Sequence, residues 1–169
     1  KKYKISVVED AAHSFGSYSN GCPVGSTKSI FCFSFDGIKN ITSGEGGAVV
    51  TNQTAVAEHV RNARLLGVKN DSEKRYKGTR SWAFDISHQG WRYHMSDLMA
   101  SIGQVQLKKI EDFVKVKQNI ISVYLKEFQD VEEIEVLKLD YDNLAPHIFP
   151  LKIKNNKRNQ LRNYLLSKN

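Results

Sequence analysis

Ser34-Phe35-Asp36-Gly37-Ile38-Lys39-Asn40-Ile41-Thr42-Ser43-Gly44-Glu45-Gly46-Gly47 is the stretch that orients the rest of the chain. One lysine follows an aromatic strand and precedes a glycine-rich turn. Backbone and hydroxyl groups around such an amine can hold a phosphorylated partner, and the amine itself suits a Schiff base with a carbonyl cofactor. The spacing alone fits a solvated lysine at a strand end equally well. In the strand, Ser29 to Phe35, the residues Phe31, Phe33 and Phe35 alternate with Ile30, Cys32 and Ser34. Both faces are largely apolar, as in a strand covered on two sides. Gly46 to Thr51 reads as another short strand. Thr54 then caps a helix over Ala55 to Leu66, closed by Gly67. Strand followed by helix indicates α/β architecture.

A second window lies upstream: Val7-Val8-Glu9-Asp10-Ala11-Ala12-His13-Ser14. It begins in an apolar strand, Ile5 to Val8, and ends in an acid, with a histidine three residues later. Ligands of open α/β sheets bind beyond the carboxyl ends of the strands. An aspartate there can pair with a ring nitrogen, and a histidine can lie over or beside the ring. An acid on the pyridinium nitrogen and a lysine on the aldehyde are the two contacts pyridoxal phosphate needs most. Read alone, the same residues also suit a helix N-cap at Asp10 and a half-buried histidine at His13.

Together the two windows resemble the sugar aminotransferases of the DegT/StrS group. The resemblance is carried by Glu9-Asp10-Ala11-Ala12-His13, Gly25-Ser26, Phe33-Ser34-Phe35, Lys39-Asn40, Thr42 and Gly44-Glu45-Gly46-Gly47-Ala48. Gly90-Trp91-Arg92-Tyr93-His94-Met95-Ser96-Asp97, Ala100-Ser101-Ile102-Gly103 and Gln106-Leu107 extend it. It runs from about Val7 to Gln118 and continues weakly to the end of the chain.

This resemblance implies part of a fold-type-I, α/β transferase dependent on pyridoxal 5'-phosphate. Its sheet would be mainly parallel and flanked by helices. Residues 1–95 would belong to the large cofactor-binding domain, 96–130 to a long connecting helix, and 131–169 to the start of a smaller C-terminal α/β domain. Lys39 would form the Schiff base and move the proton during transamination. Asp10 would keep the pyridinium nitrogen protonated. His13 would touch the ring near its phenolic oxygen, and Ser34 would donate to the phosphate. Arg92 stands where many relatives have asparagine. It would reach the phosphate of the cofactor in the neighbouring subunit, where an arginine fork is well matched. His94 also departs from the family pattern, and no role is carried onto it.

The implied reaction moves an amino group from an amino acid, glutamate above all, to a nucleotide-linked keto sugar in the cytoplasm. Such sugars serve bacterial surface polysaccharide or related biosynthesis, and the active unit would be a homodimer with shared sites. A catalytically inactive regulator or sensor of the same fold is the alternative, against which Asp10, Ser34 and Lys39 argue. Relatives that dehydrate sugars replace the lysine with histidine, which Lys39 contradicts.

Composition sets the outer bounds. The 169 residues suit one or two domains, and the apolar content of 40% is ordinary for a globular protein. No apolar run reaches the length of about eighteen residues that a membrane helix needs, and no signal peptide is read. Both ends read as cut from a longer chain. The net charge of +7 is spread over Lys1, Lys2, Lys4, Lys69, Lys74, Arg75, Lys77, Arg80, Lys152, Lys154, Lys157 and Arg158. No aromatic-interleaved basic motif points to nucleic acid. Solvated surface is the plain reading, with attraction of a doubly charged sugar nucleotide as the functional one. Cys22 and Cys32 match no metal or redox spacing and read as reduced thiols. The five histidines show no ligand spacing, so no metal is expected.

Farther along, Asn20-Gly21 and Pro23 mark a turn. Lys69 to Arg80 reads as a long polar loop, followed by Trp82, Phe84 and Trp91 as packing residues. Leu98, Ile102, Val105, Ile110, Phe113, Ile120, Tyr124 and Phe128 give helical periodicity from Ser96 to about Gln129, long enough to expect a break. His147 to Ile153 reads as a strand and Lys157 to Ser167 as a helix.

Overall fold

The computed structural model describes Tyr3 and residues 5–69, 77–78 and 84–168. Along the chain the elements are β1 (Val8–Asp10), β2 (Tyr18–Ser19), β3 (Cys22–Pro23), β4 (Ile30–Ser34), β5 (Gly47–Val50) and α1 (Thr54–Ala63). They continue as α2 (Asp97–Leu107), α3 (Ile110–Phe128), β6 (Ile134–Val136), β7 (Leu151–Ile153) and α4 (Arg158–Leu166). Most of the polar stretch from Lys69 to Arg80, and Trp82 after it, lie outside the described residues.

Strands β1, β4 and β5 form one sheet in that order. β1 runs parallel to β4, with Val8 opposite Ile30 and Asp10 opposite Cys32. β5 runs antiparallel to β4, with Phe31 opposite Val50 and Ser34 opposite Gly47. Among the described residues β1–β4 keeps the parallel pairing that the resemblance implies, and β5 is an antiparallel strand beside it. The connection explains the difference. Residues 35–46 fold back in a short loop, with Phe35 N–H donating to the Gly46 carbonyl and Ser43 N–H to the Phe35 carbonyl. A short loop can join antiparallel neighbours, whereas parallel neighbours need a crossover.

β1 also starts later than its apolar content suggested. Ile5 and Val7 lie outside it and are 73% and 58% exposed. Backbone pairing with Ile30–Cys32, not hydrophobicity, sets its limits, and it carries the strand through to Asp10.

Between β1 and β4, the β2–β3 hairpin turns at Asn20 (φ 51°) and Gly21 (φ 75°). Two successive positive φ values are what a tight two-residue hairpin of this hand requires, and Asn-Gly supplies them at low cost. Beneath it lies the core of Ala11, Phe31 and Phe33, packed by Phe15, Val24 and Phe35. Phe15 meets the Phe33 and Phe35 rings edge-on, with centroids at 5.3 and 5.6 Å. Such edge-to-face pairs add about 0.5–1.5 kcal/mol to area burial. They fix the segment carrying His13 against the strand that leads to Lys39.

Helix α1 ends at Ala63 rather than Leu66. Leu66 (φ 60°) and Gly67 (φ 76°) turn left-handed, and Gly67 N–H donates to the Asn62 carbonyl at 2.9 Å. The chain then runs beside residues 86–92, with bridges Leu65–Arg92 and Val68–Ile86. Thr54 is the first helical residue and Gln53 the N-cap. The hydroxyl used there is that of Thr51, which accepts from Gln53 N–H at 3.1 Å.

Ser96 caps α2, accepting from Met99 N–H at 3.3 Å. The expected interruption of the long helical stretch falls at Lys108–Lys109, between α2 and α3. β6, which the sequence did not reveal, pairs antiparallel with β7 through Ile134–Ile153 and Val136–Leu151. β7 begins at Leu151, not His147. Pro146 and Pro150 lack the N–H that a ladder needs, so the pairing starts only after them.

Candidate active site

Lys39 leaves the end of β4 through the turn at Asp36–Lys39, where its own N–H donates to the Asp36 carbonyl at 3.0 Å. Its Nζ lies 2.8 Å from His13 Nε2. A lysine ammonium has donors only, so in that state Nε2 accepts and the hydrogen of a neutral His13 sits on Nδ1. The His13 ring in turn lies against His147, with centroids 4.1 Å apart and planes at 51°. Burial pushes the His147 pKa down, and His13, Lys39 and Lys117 push it the same way. His147 Nδ1 is buried and has no hydrogen-bond partner among the described residues. A neutral imidazole thus backs the ring that meets the lysine.

The next residue, Asn40, is buried. Its Nδ2 donates to the Phe15 carbonyl at 3.0 Å and the Ala145 carbonyl at 2.9 Å, and lies 3.5 Å from the His13 carbonyl. Its Oδ1 accepts from Lys117 Nζ on α3 at 3.2 Å. Burial lowers the pKa of Lys117.

The glycine-rich turn is built as tightly. Ser43 is fully buried, and its hydroxyl donates to the Glu45 carbonyl at 2.7 Å. The Thr42 hydroxyl accepts from Gly44 N–H at 2.8 Å and donates to the Phe35 carbonyl at 3.3 Å. Gly46, at φ 142°, has no room for a side chain: a Cβ would overlap the Met95 methyl and stand 2.9 Å from Ser43 Oγ. The close approach brings Met95, three residues after Arg92, onto the glycine-rich turn at Gly46.

Asp10 and Ser34 stand at the carboxyl ends of the parallel strands β1 and β4. Asp10 is exposed, and its Oδ1 accepts from Ala12 N–H at 3.0 Å. Ser34 is partly buried, and its hydroxyl accepts a long contact from Asp36 N–H at 3.4 Å, leaving its own hydrogen to donate elsewhere. Asp10, His13, Ser34 and Lys39 therefore come from one sheet edge and the loops leaving it.

Arg92 is set apart. Its backbone runs beside Leu65, with Trp91 N–H donating to the Ala63 carbonyl and Tyr93 N–H to the Arg64 carbonyl. Its side chain is exposed, and among the described residues no hydrogen bond or salt bridge joins it to Asp10, His13, Ser34 or Lys39. His94 is exposed as well.

Three residues of this arrangement had no assigned role from sequence: Asn40, Lys117 and His147. Asn40 was visible inside the lysine motif. The other two reach it from more than seventy positions away, and nothing local marks them. A largely apolar cleft of about 650 Å³ lies beside Phe15, Phe33, Ile110 and Val114. None of the five candidate residues lines it, so chemistry rather than concavity identifies the site.

The class is that of an α/β protein that presents a lysine amine, a carboxylate and a hydroxyl at the carboxyl edge of its sheet. The family model of the DegT/DnrJ/EryC1/StrS aminotransferase family matches residues 1–169, and the chain belongs to that family. It is 38% identical to the uncharacterized protein MJ1066 of Methanocaldococcus jannaschii, over 90% of this chain and 40% of that protein. It is 34% identical to a UDP-4-amino-4,6-dideoxy-N-acetyl-beta-L-altrosamine transaminase of Campylobacter jejuni, over 89% of this chain and 38% of the other. Among solved structures, the PLP-form of Spr1654 from Streptococcus pneumoniae superposes with a TM-score of 0.82 at 26% identity. That match covers 97% of this chain and 42% of Spr1654. The chain spans about two fifths of the length of the curated relatives it matches.

Proposed function

We propose that the protein carrying this chain is a pyridoxal-phosphate-dependent aminotransferase acting on a nucleotide-linked keto sugar, with an amino acid such as glutamate as donor. The observation that carries the reading is the Lys39 amine, 2.8 Å from His13 Nε2 at the sheet edge that also presents Asp10 and Ser34. The donor set fits the cofactor, with an amine for its aldehyde, a carboxylate for its ring nitrogen and a hydroxyl for its phosphate. Pyridoxal phosphate supplies the aldehyde that captures an amine and the ring that accepts electrons from the reacting carbon.

This chain's own residues bind and move protons. Lys39 Nζ would hold the cofactor by its aldehyde and, as a free amine, would give and take the proton at the reacting carbon. Asp10 keeps a proton on the ring nitrogen, using the carboxylate capacity not taken by Ala12 N–H. Ser34 donates to the phosphate. His13 holds the amine through Nε2 and presents its ring to the cofactor. Arg92, exposed on the segment that Met95 ties to the glycine-rich turn at Gly46, reaches the phosphate of the neighbouring subunit's cofactor, so the active unit is a homodimer. Residues 1–95, 96–130 and 131–169 are read as cofactor domain, connector and start of the small domain. The product serves bacterial surface polysaccharide or related sugar biosynthesis in the cytoplasm; the polysaccharide part is supported by the name of a 29% identical Bacillus subtilis relative, spore coat polysaccharide biosynthesis protein SpsC.

Borohydride reduction of the full-length protein with bound cofactor tests the reading. The cofactor should become fixed to the peptide holding Lys39, and the Lys39→Ala variant should lose the label. Equal labelling in Lys39→Ala would overturn the assignment.

A further inference from the structure

Asn40 touches the chain at or near every base of the cluster. It follows Lys39 directly. Its Nδ2 bonds the Phe15 carbonyl, two residues after His13, and the Ala145 carbonyl, two residues before His147. The amide has two hydrogens, and the contacts at 2.9 and 3.0 Å use both. Its oxygen takes the Lys117 ammonium at 3.2 Å, which draws α3 into the same contact. One buried side chain thereby ties the lysine turn, the His13 loop, the 145–147 segment and α3 together.

No other residue type does this at the same length. Aspartate cannot donate, leucine can neither donate nor accept, and glutamine is one carbon too long for a close-packed position. The distances that matter downstream are the 2.8 Å contact of Lys39 with His13 and the 4.1 Å approach of the tilted His13 and His147 rings. Both join segments far apart in sequence, and both depend on those segments staying docked.

We propose that Asn40, held by Lys117, is a positioning residue that fixes the Lys39 amine against His13 by clamping the His13 and His147 segments to the lysine turn. The proposal rests on the aminotransferase reading of this site. It concerns residues that touch neither cofactor nor substrate, so its signature is misplacement of the amine rather than loss of binding. A displacement of about 1 Å at a reacting group can cost on the order of a hundredfold in rate.

The test uses the full-length protein with bound pyridoxal phosphate and four variants: Asn40→Ala, Lys117→Met, Lys117→Arg and the Asn40→Ala/Lys117→Met double. Three quantities are read: the rate at which borohydride fixes the cofactor to Lys39, the absorbance maximum of the bound cofactor, and kcat against KM for the amino donor. Asn40→Ala should slow fixation and lower kcat by about tenfold to a hundredfold, with KM changed by no more than about twofold. Its absorbance maximum should move, because the amine environment has changed. Lys117→Met should act in the same direction, Lys117→Arg should recover most of the loss, and the double variant should be no worse than Asn40→Ala alone. If Asn40→Ala does not fold, Lys117→Met and Lys117→Arg decide between the outcomes. Unchanged fixation, spectrum and kcat in Lys117→Met, or a raised KM with kcat intact, would overturn the clamp. Absence of fixation at Lys39 in the unmodified protein would overturn the aminotransferase reading and the clamp with it. Normal fixation there with unaltered variants would overturn the clamp alone.

Discussion

Replacing Gly90 by alanine tests how the Arg92 segment is held. A Cβ on Gly90 would stand 2.6 Å from the Ala63 carbonyl oxygen and from the Leu66 carbonyl carbon, and closer still to Gly67 N. All of these are backbone atoms at the end of α1, so no side chain can swing aside. Residues 90–93 must move away from the helix end. Three hydrogen bonds span that seam: Trp91 N–H to Ala63 at 2.7 Å, Leu66 N–H to Trp91 at 3.0 Å, and Tyr93 N–H to Arg64 at 2.9 Å. At about 0.5–1.5 kcal/mol each, losing two of them costs about 1–3 kcal/mol. Residual overpacking adds to this, since inserted methyl groups in tight sites cost about 1–3 kcal/mol. Gly90→Ala should therefore lower stability by about 2–6 kcal/mol in urea unfolding. Hydrogen exchange should speed at the Leu66, Trp91 and Tyr93 amides before it does in β4. A loss below about 0.5 kcal/mol, typical of an open surface site, with unchanged protection at those amides would refute the argument.

Asp10→Asn keeps an acceptor for Ala12 N–H, so the fold should survive while turnover falls by orders of magnitude; near-normal turnover would remove Asp10 from the chemistry. Mixing inactive full-length Lys39→Ala with inactive Arg92→Ala should restore activity, because a mixed dimer contains one site with both residues intact. No recovery despite demonstrated subunit exchange would place Arg92 outside the neighbour's site. His147 gives a pH prediction. Its pKa is lowered by burial and by the facing His13, Lys39 and Lys117, so below its ordinary value of about 6.5 the unfolded chain takes up a proton that the folded chain refuses. Stability from this residue is complete above that value and falls as the pH drops toward the folded-state value. His147→Phe should flatten this part of the profile in urea unfolding between about pH 7 and about pH 5. An unchanged slope would count against a neutral, partly buried His147.

What the sequence determined by itself is local. The aromatic alternation around Phe31 and Phe33 marked β4, because period-two burial is written in neighbouring residues. Asn20-Gly21 marked a turn and apolar periodicity marked the helical stretch from Ser96, since φ preference and helical period act between near neighbours. Asp10, His13, Ser34 and Lys39 could be grouped as candidates from sequence because all four come from one parallel strand pair and its exits. Tertiary structure decided what lies across from these segments. Apolar content marked Ile5 to Val8 as a strand, but pairing with β4 moved it to Val8–Asp10. A tight return through Gly46 made β5 antiparallel. His147 reached His13, and Lys117 reached Asn40, only because the helices and the 145–147 segment fold back onto the lysine turn. Hydrophobic period reports that a residue is covered, whereas which residue covers it depends on close packing between segments distant in the chain.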